Sequence, residues 1–232
     1  MCGRYSLFIP LQEVADKLGV GVVPNPDWQP LYNVAPSLHM PVITNEFPDV
    51  VQFFKWGLVP QWAKDPSFGM KMVNTRMESI LEKPSFRNIF RYKRCVILCS
   101  GYYEWQTLPG EVSAKGKKGK PLKQPWRFYN PSDDLILLAG LWDHWGREGL
   151  KTFSIITCEA NNDTQDIHNR MPVILSYKEA KQWLRKGTDI ELLTNLLKQA
   201  PEGLLKSYKV STYINRAGNE GPEVIEPIAE VI

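Results

Sequence analysis

Residues 94–105 read Arg94-Cys95-Val96-Ile97-Leu98-Cys99-Ser100-Gly101-Tyr102-Tyr103-Glu104-Trp105, and this stretch sets the fold class. Its continuous apolar start followed by an aromatic run is the strongest β signal in the chain. Beyond Gly101, the two-residue period of a strand puts Tyr103 and Trp105 on one face and Tyr102 with Glu104 on the other. A carboxylate in such a setting is either solvated or held in a pocket, because burial is costly without a partner. In a pocket its pKa would rise, and it could exchange protons near neutrality. Cys95 and Cys99 share one face of the strand but stand about 13 Å apart at ~3.3 Å per residue. That geometry does not suit a zinc knuckle, and neither a metal nor a cofactor is assigned.

Outward from this stretch, β patterns recur. A Lys-rich loop at about 108–125, with Lys115, Lys117, Lys118, Lys120 and Lys123, separates it from residues 126–129 and makes a hairpin with a long tip. Residues 135–142 and 152–157 are further strands of near-continuous apolar character. Upstream, residues 40–43 and 50–56 read as strands paired across a turn, and residues 4–9 as a short strand stopped by Pro10. Helical spacing marks Leu11, Val14, Ala15 and Leu18, with Gly19 and Gly21 as the stop. Residues 24–36 read as irregular, and residues 56–62 (Trp-Gly-Leu-Val-Pro-Gln-Trp) as an ordered loop whose tryptophans suit core plugs. A second helix is expected over 73–79, capped by Asn74 and ended by Pro84, with a further turn over 86–92. Residues 163–168 suit a helical turn before a strand at 170–175. Ser176 with Glu179 forms a capping box ahead of a helix that turns Trp183 and Leu184 inward. Helical spacing returns at 190–199, and a last strand begins at 208. Without repeats or a long linker, the expectation is one α+β domain over 1–232, a curled, barrel-like, largely antiparallel sheet with peripheral helices.

The 232 residues, 43% hydrophobic and 23% charged, can bury a substantial core. No apolar run approaches the roughly 18–20 residues of a membrane span, and no signal peptide precedes Cys2, so a cytoplasmic protein and no membrane partner are expected. Four scattered cysteines make no disulfide framework. A net charge of +3 neither demands nor excludes nucleic acid. A monomer is expected.

The N-terminus, Met1-Cys2-Gly3-Arg4, carries distinct chemistry. Small residues at position 2 favour removal of the initiator, which would leave Cys2 with its amine and thiol on one Cα. A free α-amine titrates at about 7.7–8.0 and a free thiol at about 8.5, so both have a nucleophilic fraction near neutral pH. Such a 1,2-aminothiol condenses with an aldehyde to an imine, and the thiolate then closes a thiazolidine. The plainer alternative is a cysteine near a frayed terminus. His168, in Ile167-His-Asn-Arg-Met-Pro172, is either a proton carrier or a surface histidine. Arg4, Arg76 and Arg170 suit phosphate contacts or surface ion pairs equally.

Taken together, Met-Cys-Gly-Arg at the start, Trp56-Gly-Leu-Val-Pro-x-Trp62, Asn74-x-Arg76-x-Glu78, Gly101-x-Tyr-Glu-Trp105 and His168-x-Arg170-Met-Pro172 occur in that order. This pattern resembles the SRAP family, the SOS-response-associated peptidase-like proteins that crosslink abasic DNA, over essentially the whole chain. The resemblance implies the SRAP fold and a single-stranded DNA partner carrying abasic sites. It implies that Cys2 forms the crosslink, that Asn74 holds substrate and N-terminus, and that Glu104 and His168 move protons. It places Arg4, Trp62, Arg76, Trp105 and Arg170 on the DNA surface. Tyr5 stands where Phe is common in the family, Asn169 where many bacterial members carry Asp, and the Lys-rich loop is longer than in compact members. Two rival readings are a thiol peptidase or amidase built on Cys2, including removal of its own Met1, and a non-covalent single-strand-binding module.

Overall fold

The computed structural model describes residues 2–112, 121–146 and 149–228. Along the chain come β1 (Tyr5–Leu7), α1 (Leu11–Leu18), β2 (Gly21–Val22), β3 (Leu31–Val34), β4 (His39–Thr44), β5 (Val50–Trp56), β6 (Asn74–Arg76), α2 (Pro84–Tyr92) and β7 (Arg94–Cys99). There follow β8 (Gly101–Val112), β9 (Pro121–Tyr129), β10 (Ile136–Trp145), β11 (Leu150–Glu159), β12 (Arg170–Pro172), β13 (Ile174–Leu175), α3 (Tyr177–Leu184), α4 (Ile190–Asn195) and β14 (Lys206–Lys209).

The opening stretch belongs to two sheets. Strand β7 lies between β10 and β4, and the run β11-β10-β7-β4-β5 closes on itself because β11 also pairs with β5. That closure is parallel, Thr152 opposite Lys55 and Phe153 opposite Trp56, in an otherwise antiparallel barrel. One residue after β7 ends, β8 joins a second sheet ordered β14-β9-β8-β1-β3. The switch falls at Gly101, where an added Cβ would lie 2.7 Å from the Phe128 carbonyl oxygen. No side chain fits there, which is why the strand changes sheet at a glycine.

Alternation along β8 then serves two cores. Tyr102 joins Tyr5, Leu7 and Phe128 against the barrel, while Tyr103 packs with Val210, Ile214 and Val224 from the C-terminal segment. Glu104 follows Tyr102 onto the barrel side and is 3% exposed. Strand β11 is the hub of the other wall. Beyond its contact with β5, it carries β6 in parallel (Ile155 opposite Asn74) and β12 antiparallel (Glu159 opposite Arg170).

The barrel-like α+β architecture, the strand pair β4–β5, helix α1 with its left-handed Gly19, and the Ser176–Glu179 capping box match the sequence reading. Other elements differ. Residues 74–76 are not helical, and Asn74 is no cap: they form β6, followed by a single 3-10 turn at Met77–Ser79. Local signals suggested a helix, but pairing with distant β11 and the Thr75–Ser154 hydroxyl contact (2.8 Å) override them. Pro84 opens α2 instead of ending a helix, as a residue without an N–H can at a first turn. The segment read as irregular contains β3, which pairs with β1. Helix α4 stops at Asn195. The hairpin arms extend further than expected, β8 to Val112 and β9 from Pro121; Lys115, Lys117, Lys118 and Lys120 lie outside the described residues, as does Met1.

Candidate active site

Arg4 continues the pairing of β1 with β8. Tyr5 pairs with Tyr102, and the Tyr103 N–H donates to the Arg4 carbonyl at 3.0 Å. Cys2 has no exposed surface, and its carbonyl accepts a 2.8 Å hydrogen bond from Asn74 Nδ2. Asn74 Oδ1 is buried and takes no hydrogen bond among the described residues. Burial pushes the Cys2 thiol well above its ordinary range, and the Glu104 carboxylate and Cys99 add to the rise. The ordinary thiol value expected from the sequence therefore does not survive folding.

Glu104 occupies a pocket, the second of the two alternatives its sequence left open. Burial pushes its carboxyl up to about 7. His168 Nε2 lies 3.7 Å from Glu104 Oε2. The Arg170 N–H donates to His168 Nδ1 at 3.0 Å. Burial lowers the His168 pKa, so its imidazole is mainly neutral at pH 7. Glu104 and His168 face an open space of about 510 Å³ that Trp105, Lys123 and Asn215 complete. The pair combines an acid titrating near neutrality with a neutral imidazole, the composition expected of proton carriers.

The other site residues surround this pair differently. Arg76 is exposed, on the same side of β6 as Asn74. Trp62 is 60% exposed, edge-on to Phe68 at 5.0 Å, whereas Trp56 is the core plug of that loop. Half-buried Arg4 donates to Asn33 Oδ1 (2.6 Å) and the Ile214 carbonyl (2.9 Å), tying the N-terminus to the C-terminal segment. Trp105 Nε1 donates to Asn215 Oδ1 at 2.7 Å. Arg170 is buried, with its guanidinium engaged by Glu78 and the Thr157 carbonyl. Arg4 and Arg170 are thus already partnered, and Arg76 is the exposed one of the three.

Sequence reasoning passed over Lys123 and Asn215 as site residues. Lys123 was visible only as one of a run of lysines, and its place on β9 separates it from that run. A larger cavity, about 860 Å³, lies between α1 and α3 and holds none of these groups. Among the described residues, no group of three or more His, Cys, Asp or Glu could hold a metal ion, and no helix is long and apolar enough to cross a membrane.

Residues 1–217 match the family model described as SOS response associated peptidase (SRAP). Abasic site processing protein YoqW of Bacillus subtilis is 38% identical, over 97% of this chain and 99% of that protein. Abasic site processing protein HMCES of Gallus gallus is 32% identical, over 88% of this chain and 69% of that protein. Among solved structures, a protein from Bacteroides thetaiotaomicron aligns with a TM-score of 0.85 at 27% identity, covering 98% of this chain and all of that one.

Proposed function

The chain belongs to the SRAP family, and we propose that it processes abasic sites in single-stranded DNA by forming a covalent crosslink through Cys2, shielding the lesion. The observation that carries this reading is the convergence of buried Cys2, anchored by Asn74, with a Glu104 that titrates near 7 and a His168 3.7 Å from it. The names of its relatives supply the substrate, an abasic site, which in its ring-opened form presents an aldehyde.

The chemistry starts with removal of Met1, because an amide nitrogen cannot form an imine. His168 and Glu104 move the protons that open the sugar ring, one taking the C1′ hydroxyl proton and the other protonating the ring oxygen. The Cys2 amine adds to the aldehyde carbon, and the carbinolamine loses water with a proton supplied by Glu104. The resulting iminium has a positive charge beside the buried thiol, which favours the thiolate that burial otherwise suppresses. Sγ then adds to the imine carbon and closes the thiazolidine, the nitrogen keeping the electron pair of the broken C=N bond. Aldehyde and aminothiol give thiazolidine and one water. Asn74 holds the Cys2 carbonyl throughout, and its free Oδ1 is an acceptor for the new amine or the sugar.

Arg76 and Lys123 supply cations for the phosphate backbone, Trp62 and Trp105 stacking faces for flanking bases, and Arg4 and Arg170 positive charge and local order nearby. A thiol peptidase built on Cys2 would need a neighbouring base to take the proton from a thiol whose pKa burial holds above its ordinary range. The test is incubation with single-stranded DNA carrying an abasic site. A denaturation-resistant adduct, absent with Cys2→Ala, is expected. Peptide cleavage without any adduct would establish the peptidase, and dissociable binding alone would establish the non-covalent module.

A further inference from the structure

We propose that Glu78 is a positioning residue that sets the tautomer and aim of His168 by clamping Arg170. The kinetic consequence rests on the reading of His168 as a proton carrier; the tautomer itself does not.

Arg170 Nη1 and Nη2 donate to the two Glu78 carboxylate oxygens at 2.7 and 2.9 Å, and Nη2 also donates to the Thr157 carbonyl at 2.7 Å. A two-pronged Arg–carboxylate contact fixes orientation as well as distance. It joins groups 92 residues apart in the chain, one just beyond β6 and the other on β12. The Arg170 side chain is 10% exposed and that of Glu78 45%, and the pair bridges β11, which carries β6 on one edge and β12 on the other. Hydrogen bonds from Arg170 hold the Glu78 carboxyl below its ordinary range, so the clamp is ionised at neutral pH.

The consequence lies in the backbone of Arg170. Its N–H stands 3.0 Å from His168 Nδ1, and its carbonyl oxygen 3.3 Å from the same nitrogen. These contacts select opposite tautomers. An N–H can only donate, so the shorter contact requires a bare Nδ1 and puts the proton on Nε2, the nitrogen facing Glu104. The carbonyl would accept only from a protonated Nδ1, which would turn a lone pair toward Glu104 instead. The two groups flank the Arg170 Cα, so which of them His168 Nδ1 meets depends on how the backbone at Arg170 is held. Pairing of β12 with Glu159 fixes the Arg170 backbone from one side, and the guanidinium clamp fixes its side chain from the other.

The electrostatics point the same way. On the proposed function, Glu78 is an acid on a surface that meets phosphates, where a carboxylate costs affinity. Holding the imidazole is a reason for it to be there.

The test uses Glu78→Ala, Glu78→Gln and Arg170→Lys in the full chain. Long-range nitrogen–proton NMR correlations report the His168 tautomer without DNA. Adduct formation is timed on abasic single strands, and affinity is measured on undamaged ones. The parent protein should show the Nε2–H form. Glu78→Ala and Arg170→Lys should show mixed tautomers and form adduct about 10- to 100-fold more slowly. Glu78→Gln, which keeps the shape and loses the charge, should fall between; if the Ala variant does not fold, it carries the same measurement. Affinity of the Glu78 variants for undamaged DNA should stay equal or rise. An unaltered Nε2–H tautomer in Glu78→Gln and Arg170→Lys overturns the clamp. An altered tautomer with an unchanged adduct rate leaves the clamp standing and overturns the proton-carrier role of His168.

Discussion

Strands β7 and β8 are adjacent in the chain, yet they do different work. Every residue of β7 is buried between two barrel neighbours, and its two cysteines are plain core groups whose thiols burial pushes up, Cys99 to about 12. Strand β8 has the same barrel on one side only, and there it places a carboxylate. The apolar surroundings that stabilise β7 through packing raise Glu104 to about 7. Burial is the common cause, and the residue type decides whether it yields stability or chemistry.

Exchanging the thiols breaks this comparison most sharply. Cys2→Ala should abolish the denaturation-resistant adduct altogether, while Cys95→Ala should form it at the parent rate once folded; denaturing gels read both. Next, Glu104→Gln should slow adduct formation by about 10²- to 10⁴-fold with affinity for undamaged DNA retained. Parent kinetics in that variant would return Glu104 to a packing role. On the other strand, Leu98→Ala should cost about 2–5 kcal/mol in denaturant unfolding with the rate of the folded fraction unchanged.

A pH titration sharpens the point from the side of stability. Glu104 is raised in the folded state, from 4.5 to about 7, so between those values the folded chain holds a proton that the unfolded chain has lost. Its contribution is therefore full below about 4.5 and lost as pH rises through about 7, by roughly 3 kcal/mol at most. His168, lowered by burial, acts in the opposite sense, so the quantity to measure is the stability difference between the parent and Glu104→Gln. That difference should fall over this window; a flat one would contradict a raised carboxyl. The smallest effect concerns exposed Arg76: Arg76→Ala should reduce the salt slope of DNA binding by about one.

How far the sequence reached depended on the range of the interactions. The period of residues 50–56, the Gly19 stop and the Ser176–Glu179 box are local, and each was legible. Asn74 was legible as a residue of interest but misplaced on a helix, because its strand exists only through β11. The single stretch 94–105 concealed a change of sheet, since a close approach to Phe128 leaves no trace near Gly101. Lys123 was hidden in a run of lysines.

By itself the sequence determined the element types with strong periods and the two-faced alternation of β8, and it singled out Cys2, Asn74, Glu104 and His168 as candidates. Tertiary structure alone decided which of these meet, and with what proton affinity. A pKa near 7 for Glu104 and a suppressed Cys2 thiol arise from desolvation by segments far apart in the chain. The Glu78–Arg170 clamp likewise exists only because β11 binds β6 on one edge and β12 on the other.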